Sequence, residues 1–144
     1  MFHLPVWYDE ITLLRRDKQV KIANPTAKLG EDKACEYLKK LGFKIIERNF
    51  RKRYGEIDIV AIEETKKDGK VLAFIEVKTR TSSQFGNPLE AITYWKLKSL
   101  IKTAEFYKIS HKNLPESLRI DAVSVILNGN KVQNIELTRN ISGS

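Results

Sequence analysis

Glu56-Ile57-Asp58-Ile59-Val60-Ala61-Ile62 and Val71-Leu72-Ala73-Phe74-Ile75-Glu76-Val77 are two runs rich in Ile, Val and Phe. Both are apolar at odd and even positions alike. A strand with that pattern is buried on two faces and lies at the centre of a sheet. Lys67-Asp68-Gly69 stands between them as a turn signal, so the two runs predict a hairpin. Working outward, Phe43 to Phe50 is a short strand candidate. Before it, Asn24-Pro25-Thr26 opens a helix, with a polar cap and a proline suited to the first turn, that runs to Leu41 and stops at Gly42. After the hairpin, Asn87-Pro88-Leu89-Glu90 combines a cap, a first-turn proline and a capping-box acid, predicting a second helix to about Ile109. Arg119 to Leu127 is another apolar strand, and Asn128-Gly129-Asn130 turns it into a last strand, Lys131 to Leu137. The order αβββαββ describes an α/β fold: a central mixed sheet of about five strands flanked by helices. Residues 25–140 form its single domain. Residues 1–24, with Phe2, Leu4, Val6, Trp7 and Tyr8 followed by Arg15, Arg16, Lys18 and Lys21, read as an N-terminal extension.

Composition narrows the classes. The chain has 144 residues, 42% hydrophobic and 31% charged, so one domain with a proper core is available and wholesale disorder is excluded. Cys35 is the only cysteine, which excludes a disulfide scaffold and suits a reducing compartment. Two histidines and one cysteine make no structural zinc site. No apolar run approaches the ~20 residues that cross a bilayer. Met1 to Glu10 lacks the basic and apolar segments of a signal peptide, so a cytoplasmic protein is expected. The 26 basic and 18 acidic residues leave a net charge of +8, which favours a polyanionic partner, nucleic acid ahead of membrane.

The sharper signal is charge where apolar residues belong. Asp58 interrupts the first central strand, between Ile57 and Ile59. Glu76 and Lys78 share a face of the next strand with Leu72 and Phe74. Glu31 falls within the apolar face of the first helix, beside Gly30, whose lack of a side chain allows another element to come close. Lys96 lies seven after Leu89, on the apolar stripe of the second helix, and Asp121 sits between Ile120 and Ala122. Buried carboxylates are costly unless paired or bound to metal. A carboxylate cluster without His or Cys favours hard cations, Mg²⁺ or Mn²⁺. Such an ion polarises a phosphate and lowers the pKa of a water, and a neighbouring lysine can position that water or neutralise developing charge. With a basic surface, phosphodiester hydrolysis is the natural chemistry. Plainer readings stand beside this one. Lys96 could snorkel to water, Glu31 could cap or salt-bridge, Asp121 could pair with Arg119, and Asp58, Glu76 and Lys78 could form a structural ion-pair network.

The residues Leu29-Gly30-Glu31, Gly42-Phe43, Asn49-Phe50-Arg51, Gly55-Glu56-Ile57-Asp58-Ile59-Val60, Phe74-Ile75-Glu76-Val77-Lys78-Thr79-Arg80, Gly86, Ala91, Lys96 and Arg119-Ile120-Asp121 resemble the YraN-like family of predicted bacterial endonucleases. The likeness spans about 100 residues, Lys28 to Leu127. That family looks like a branch of the PD-(D/E)xK superfamily, with the restriction-endonuclease-like fold, and is similar to archaeal Holliday-junction resolvases. The resemblance implies Asp58 and Glu76 as metal ligands, Lys78 as the group that orients or activates water, Glu31 as support for the metal or its water, and Lys96 as a basic helix position assisting the site. It also implies a homodimer. The chain departs from the pattern at Tyr94-Trp95, where a proline and a basic residue are expected.

Arg48, Arg51, Lys52 and Arg53, with Lys44, cluster along the first strand and the loop expected after it, and Thr79 and Arg80 follow the Glu76 strand. Phosphates passing the site would meet these groups. No zinc finger, RNA-recognition signature or aromatic ladder is visible, so shape-selective binding of branched or single-stranded DNA fits better than sequence readout, with DNA ahead of RNA. Two rivals remain: a non-catalytic nucleic-acid-binding module that retains the fold, and an adaptor that docks a partner through its N-terminal apolar segment.

Overall fold

The computed structural model describes residues 24–82 and 86–143; the extension read at the N-terminus lies outside them, save Asn24. The elements run α1 (Pro25–Lys40), β1 (Lys44–Lys52), β2 (Gly55–Thr65), β3 (Gly69–Thr81), a 3-10 turn (Pro88–Ala91), α2 (Tyr94–Ser110), β4 (Ser117–Asn128) and β5 (Lys131–Thr138). The five strands form one mixed sheet in the order β1-β2-β3-β4-β5. Every neighbouring pair is antiparallel except β3 and β4, which run parallel and are joined through α2. The order αβββαββ is the one expected.

Local chemistry explains the ends of α1. Asn24 Oδ1 accepts from the amides of Thr26 at 3.0 Å and Ala27 at 3.4 Å, satisfying donors that the first turn leaves open. At the other end Gly42 takes a φ of +97°, and the amides of Gly42 and Phe43 return to the carbonyls of Lys39 and Leu38. This is the Schellman closure, and glycine adopts its left-handed residue without steric cost.

Each helix covers one face of the sheet. Ala34, Cys35 and Leu38 of α1 pack on Ile59, Ala61, Ala73, Ile75, Val123 and Val125. Leu100, Ala104 and Tyr107 of α2 pack on Ile57, Val60, Leu72, Phe74 and Ile120. The central strand β3 is therefore buried on both sides from Val71 to Glu76, which is why its sequence shows no alternation.

Three details differ from the expected elements. The second helix is not continuous from Asn87. Asn87 does cap, but only the 3-10 turn; Ile92 is extended, and Thr93 caps α2 afresh, its Oγ1 accepting from Lys96 N at 3.1 Å. Leu89 thus lies on a different element from Lys96, and the stripe drawn through both does not exist. Strand β3 reaches Thr81 because β4 pairs with it from Val71↔Ser117 to Thr81↔Leu127, so Thr79 and Arg80 belong to the strand instead of following it. Likewise Arg51 and Lys52 belong to β1 instead of a loop.

Candidate active site

The ladder between β2 and β3 holds from Thr65↔Gly69 to Ile59↔Ile75. One residue further, the Asp58 side chain takes the place of a main-chain acceptor: its Oδ2 receives the Val77 amide at 2.8 Å. Asp58 therefore sits where two central strands part, partly buried, at the wall of an open cleft of about 900 Å³. The first turns of α1 roof that cleft through Asn24, Thr26, Ala27, Lys28 and Glu31. Arg48, Asn49, Arg51, Glu56, Val77, Lys78 and Thr79 complete its wall.

Glu76 is 4% exposed, on the α2 face of β3. Its Oε1 lies 3.4 Å from Lys78 Nζ and 3.7 Å from Lys96 Nζ. Its Oε2 is buried and has no hydrogen-bond partner among the described residues. An unpaired buried carboxylate oxygen forgoes its hydration and gets nothing back, unless a ligand supplies the return. Burial, and next the Glu76 carboxylate, push Asp58 up to about 8. Burial also raises Glu76, against the pull of Lys96 and Lys78. Glu76 thus adds to the proton affinity of Asp58, while Lys78 and Lys96 offset part of the charge on Glu76 itself.

Glu31 stands at the cleft edge of α1, where its Oε1 accepts from Arg48 Nε at 3.1 Å and Asn49 Nδ2 at 2.9 Å. It is not buried in a core, as its place on the helix face suggested. Gly30 beside it does permit close approach: a Cβ there would overlap the Thr79 side chain. So the structure brings Glu31, Asp58 and Lys78 to one cleft, and Lys78 links that cleft to Glu76, which Lys96 reaches from α2.

Asp121 belongs elsewhere. It is fully buried on the α1 face, held by Arg119 Nε at 2.7 Å and Nη2 at 2.8 Å and by the Asn140 amide at 2.9 Å. Arg119 and Arg139 also clamp Glu63, each at 2.6 Å, and Arg139 lies over the Phe43 ring. This is an ion-pair cluster near the C-terminal end of α1, away from the cleft. The pairing with Arg119 is the plainer alternative, and Asp121 takes no part in the cleft.

The basic residues are spread more widely than the sequence cluster suggests. Arg48 reaches Asp32 at 2.6 Å as well as Glu31, which holds the Asp32 carboxyl below its usual range. Arg51 pairs with Glu56 at 3.3 Å. Lys52 lies over the Phe50 ring on the α2 side. Thr79 packs against α1, and Arg80 buries its Nε without a partner among the described residues. Arg53 has contacts of its own. Several cleft residues escaped the sequence reading, Lys28, Asn49 and Glu56 among them. Asn49 adopts a φ of +55°, opposite the Asp58 region of β2. Asparagine tolerates that region better than most residues, so an Asn inside an otherwise strand-like run was the available signal. Among the described residues, no three His, Cys, Asp or Glu side chains group closely enough to enclose a metal ion by themselves. No described helix is long and apolar enough to cross a membrane.

A family model described as "Uncharacterised protein family UPF0102" matches residues 30–125, a span that holds Glu31, Asp58, Glu76, Lys78 and Lys96. The chain is similar to a UPF0102 protein of Caldicellulosiruptor saccharolyticus, 45% identical over 112 residues, covering 77% of this chain and 91% of that protein. A UPF0102 protein of Persephonella marina is 42% identical over 101 residues, covering 70% and 83%. One from Clostridium kluyveri is 40% identical over 112 residues, covering 77% and 88%.

Proposed function

The chain belongs to the UPF0102 family, and from the chemistry of its site we propose that it is a metal-dependent endonuclease hydrolysing phosphodiester bonds in DNA, branched DNA among its substrates. The observation that carries the reading is the acid pair: Asp58 at the parting of two central strands, and Glu76 with a buried oxygen that no described residue satisfies. The donor set fits a hard divalent cation, since the two acids offer only oxygen and both lysines sit at Glu76 Oε1, leaving Oε2 without a partner among the described residues. Asp58 and Glu76 would hold Mg²⁺ or Mn²⁺, with main-chain carbonyls and water completing the shell. Bound there, the ion would polarise the phosphate and lower the pKa of a water.

This chain's own residues do the rest. Lys78 lines the cleft and touches Glu76, so its ammonium is placed to hold the attacking water and offset charge on the phosphorane. Lys96 shares Glu76 Oε1 and fixes that carboxylate from the α2 side. Glu31, anchored by Arg48 and Asn49, is placed to accept from water in the cleft. Lys28 and Arg51 flank the opening, where a backbone phosphate would enter. The order αβββαββ, with the acids at the parted ends of β2 and β3, supports membership of the PD-(D/E)xK superfamily.

The test incubates the protein with labelled four-way junction, flap, duplex and single-stranded DNA, each with Mg²⁺, Mn²⁺ or EDTA. Cleavage that needs metal and disappears in Glu76→Ala and Lys78→Ala is the expected result. Intact DNA in every lane, with binding unchanged in both variants, would leave a binding module on a nuclease fold.

A further inference from the structure

Tyr54, Tyr94 and Trp95 stand open to solvent at 43%, 62% and 75%. Tyr94 and Trp95 are the first two residues of α2, just before Lys96 turns inward to Glu76. Their rings meet edge to face at 5.4 Å. Lysine ammoniums lie over all three rings: Lys98 at 4.9 Å from Tyr94 and 5.9 Å from Trp95, and Lys102 at 4.7 Å from Tyr54. Tyr54 reaches this face because the β1–β2 turn is clamped to α2. Ser99 Oγ donates to the Tyr54 carbonyl, and Gly55 lies so close that a Cβ would strike Ser99. A groove on the same helix is lined by Lys98, Ser99, Ile101, Lys102 and Glu105, two cations against one acid.

Trp95, Lys98 and Lys102 fall at i, i+3 and i+7, on one side of the helix. Seven residues at a rise of about 1.5 Å make a track of about 10 Å. Stacked nucleotides repeat about every 3.4 Å along a strand, so the track matches about three of them. Aromatic rings interleaved with cations are the chemistry of single-strand binding: the rings stack any base, and the lysines meet the phosphates.

We propose that this face of α2 is a stacking platform for unpaired bases, with Trp95, Tyr94 and Tyr54 as the stacking rings and Lys98 and Lys102 as the phosphate contacts. The proposal rests on the nucleic-acid reading of the site and sharpens it, because a strand on the platform would be single-stranded beside Glu76. A second copy of the chain is the other occupant to consider. In a two-fold interface the patch would face itself, setting Lys98 and Lys102 near their own kind with only Glu105 of the groove to offset them, so net charge favours the strand.

Binding is measured by fluorescence anisotropy in EDTA, where cleavage plays no part. The probes are a labelled thymidine oligomer, an abasic oligomer with the same phosphates, and a blunt duplex, against the full chain, Trp95→Ala, Tyr94→Ala and Trp95→Phe. We expect each alanine variant to weaken the thymidine oligomer about tenfold. Both should leave the abasic oligomer and the duplex unchanged, and Trp95→Phe should recover most of the loss. The proposal is overturned if the thymidine oligomer binds every variant alike, or if the abasic oligomer loses as much. It is overturned too if Trp95→Ala only turns a dimer into a monomer on sedimentation. A chain that discriminates bases but cuts nothing keeps the platform without the nuclease. One that cuts but does not discriminate keeps the nuclease without the platform.

Discussion

Asp58 is an acid whose ordinary value is 3.8, held at about 8 by burial and by Glu76. The folded, metal-free chain therefore binds more protons than the unfolded chain across that interval, and its stability falls as pH rises through it. Asp32 and Glu63 are shifted the other way, downward, by Arg48 and by Arg139 with Arg119. Their contribution is complete above the ordinary carboxylate range and is lost only in acid. Between about pH 5 and pH 8 the acid pair thus sets the slope. The Tm of the metal-free protein should decline over that window, and Asp58→Asn should flatten the decline. Mg²⁺ should raise Tm more at pH 8 than at pH 5.5, since the carboxylates must lose their proton to bind it. Calorimetric scans with Mg²⁺ and with EDTA measure both effects, and an equal Mg²⁺ gain in Asp58→Asn would refute the ligand role. Gly30 supplies a second test at this scale. With the Thr79 side chain already in the space a Cβ needs, Gly30→Ala should cost about 1–3 kcal/mol in urea unfolding and shift α1 away from the cleft.

Between elements, the features carried by neighbouring residues were readable in advance, and those carried by distant partners were not. Asn24-Pro25, Gly42 and Lys67-Asp68-Gly69 set the ends of α1 and the hairpin through local bonds. The start of α2 misled because two caps compete in sequence: Asn87 wins only a 3-10 turn, and Thr93 begins the helix. The length of β3 was hidden because Lys78 to Thr81 are polar and are held by β4, some 46 residues later in the register Lys78↔Ser124. Asp58, Glu76 and Lys78 stood out because each breaks an apolar strand. Asp121 stood out equally, yet its carboxylate serves the clamp of Arg119, Glu63 and Arg139. An interruption therefore marks a buried charge, and only its partners distinguish a site from a brace. Asp121→Ala would leave Arg119 with Glu63 alone and take the acceptor from the Asn140 amide, and removing one member of a buried pair costs about 3 kcal/mol. Equilibrium unfolding should register that loss, while the proposed DNA cleavage, assayed at a temperature where the variant is folded, should match that of the unaltered chain.

At the scale of the whole molecule, the two helices approach the acid pair from opposite faces of the sheet. The first turns of α1 roof the Asp58 cleft, and the first turn of α2 delivers Lys96 to Glu76. Helix N-termini carry partial positive charge, so both ends favour a phosphate arriving between them. The net charge of +8 supplies the longer-range attraction. Four cations line the cleft, Lys28, Arg48, Arg51 and Lys78, although Arg48, Arg51 and Lys78 are already paired with acids. If all four neutralise phosphates, duplex affinity falls about a hundredfold between 50 and 200 mM salt, because each contact adds about −0.9 to the logarithmic slope. Arg51→Ala should lower that slope by about one and weaken all sequences alike, since a phosphate contact carries no base information. Arg51 lies outside both hydrophobic cores and is half exposed, so the variant keeps its fold and the slope reports binding alone. Titrations of labelled duplex in EDTA at several salt concentrations give the slope directly. A slope near zero would mean that the positive surface only solvates the protein, whereas an unchanged slope in Arg51→Ala would place the bound strand along another face, with the Lys98 and Lys102 track the first to examine.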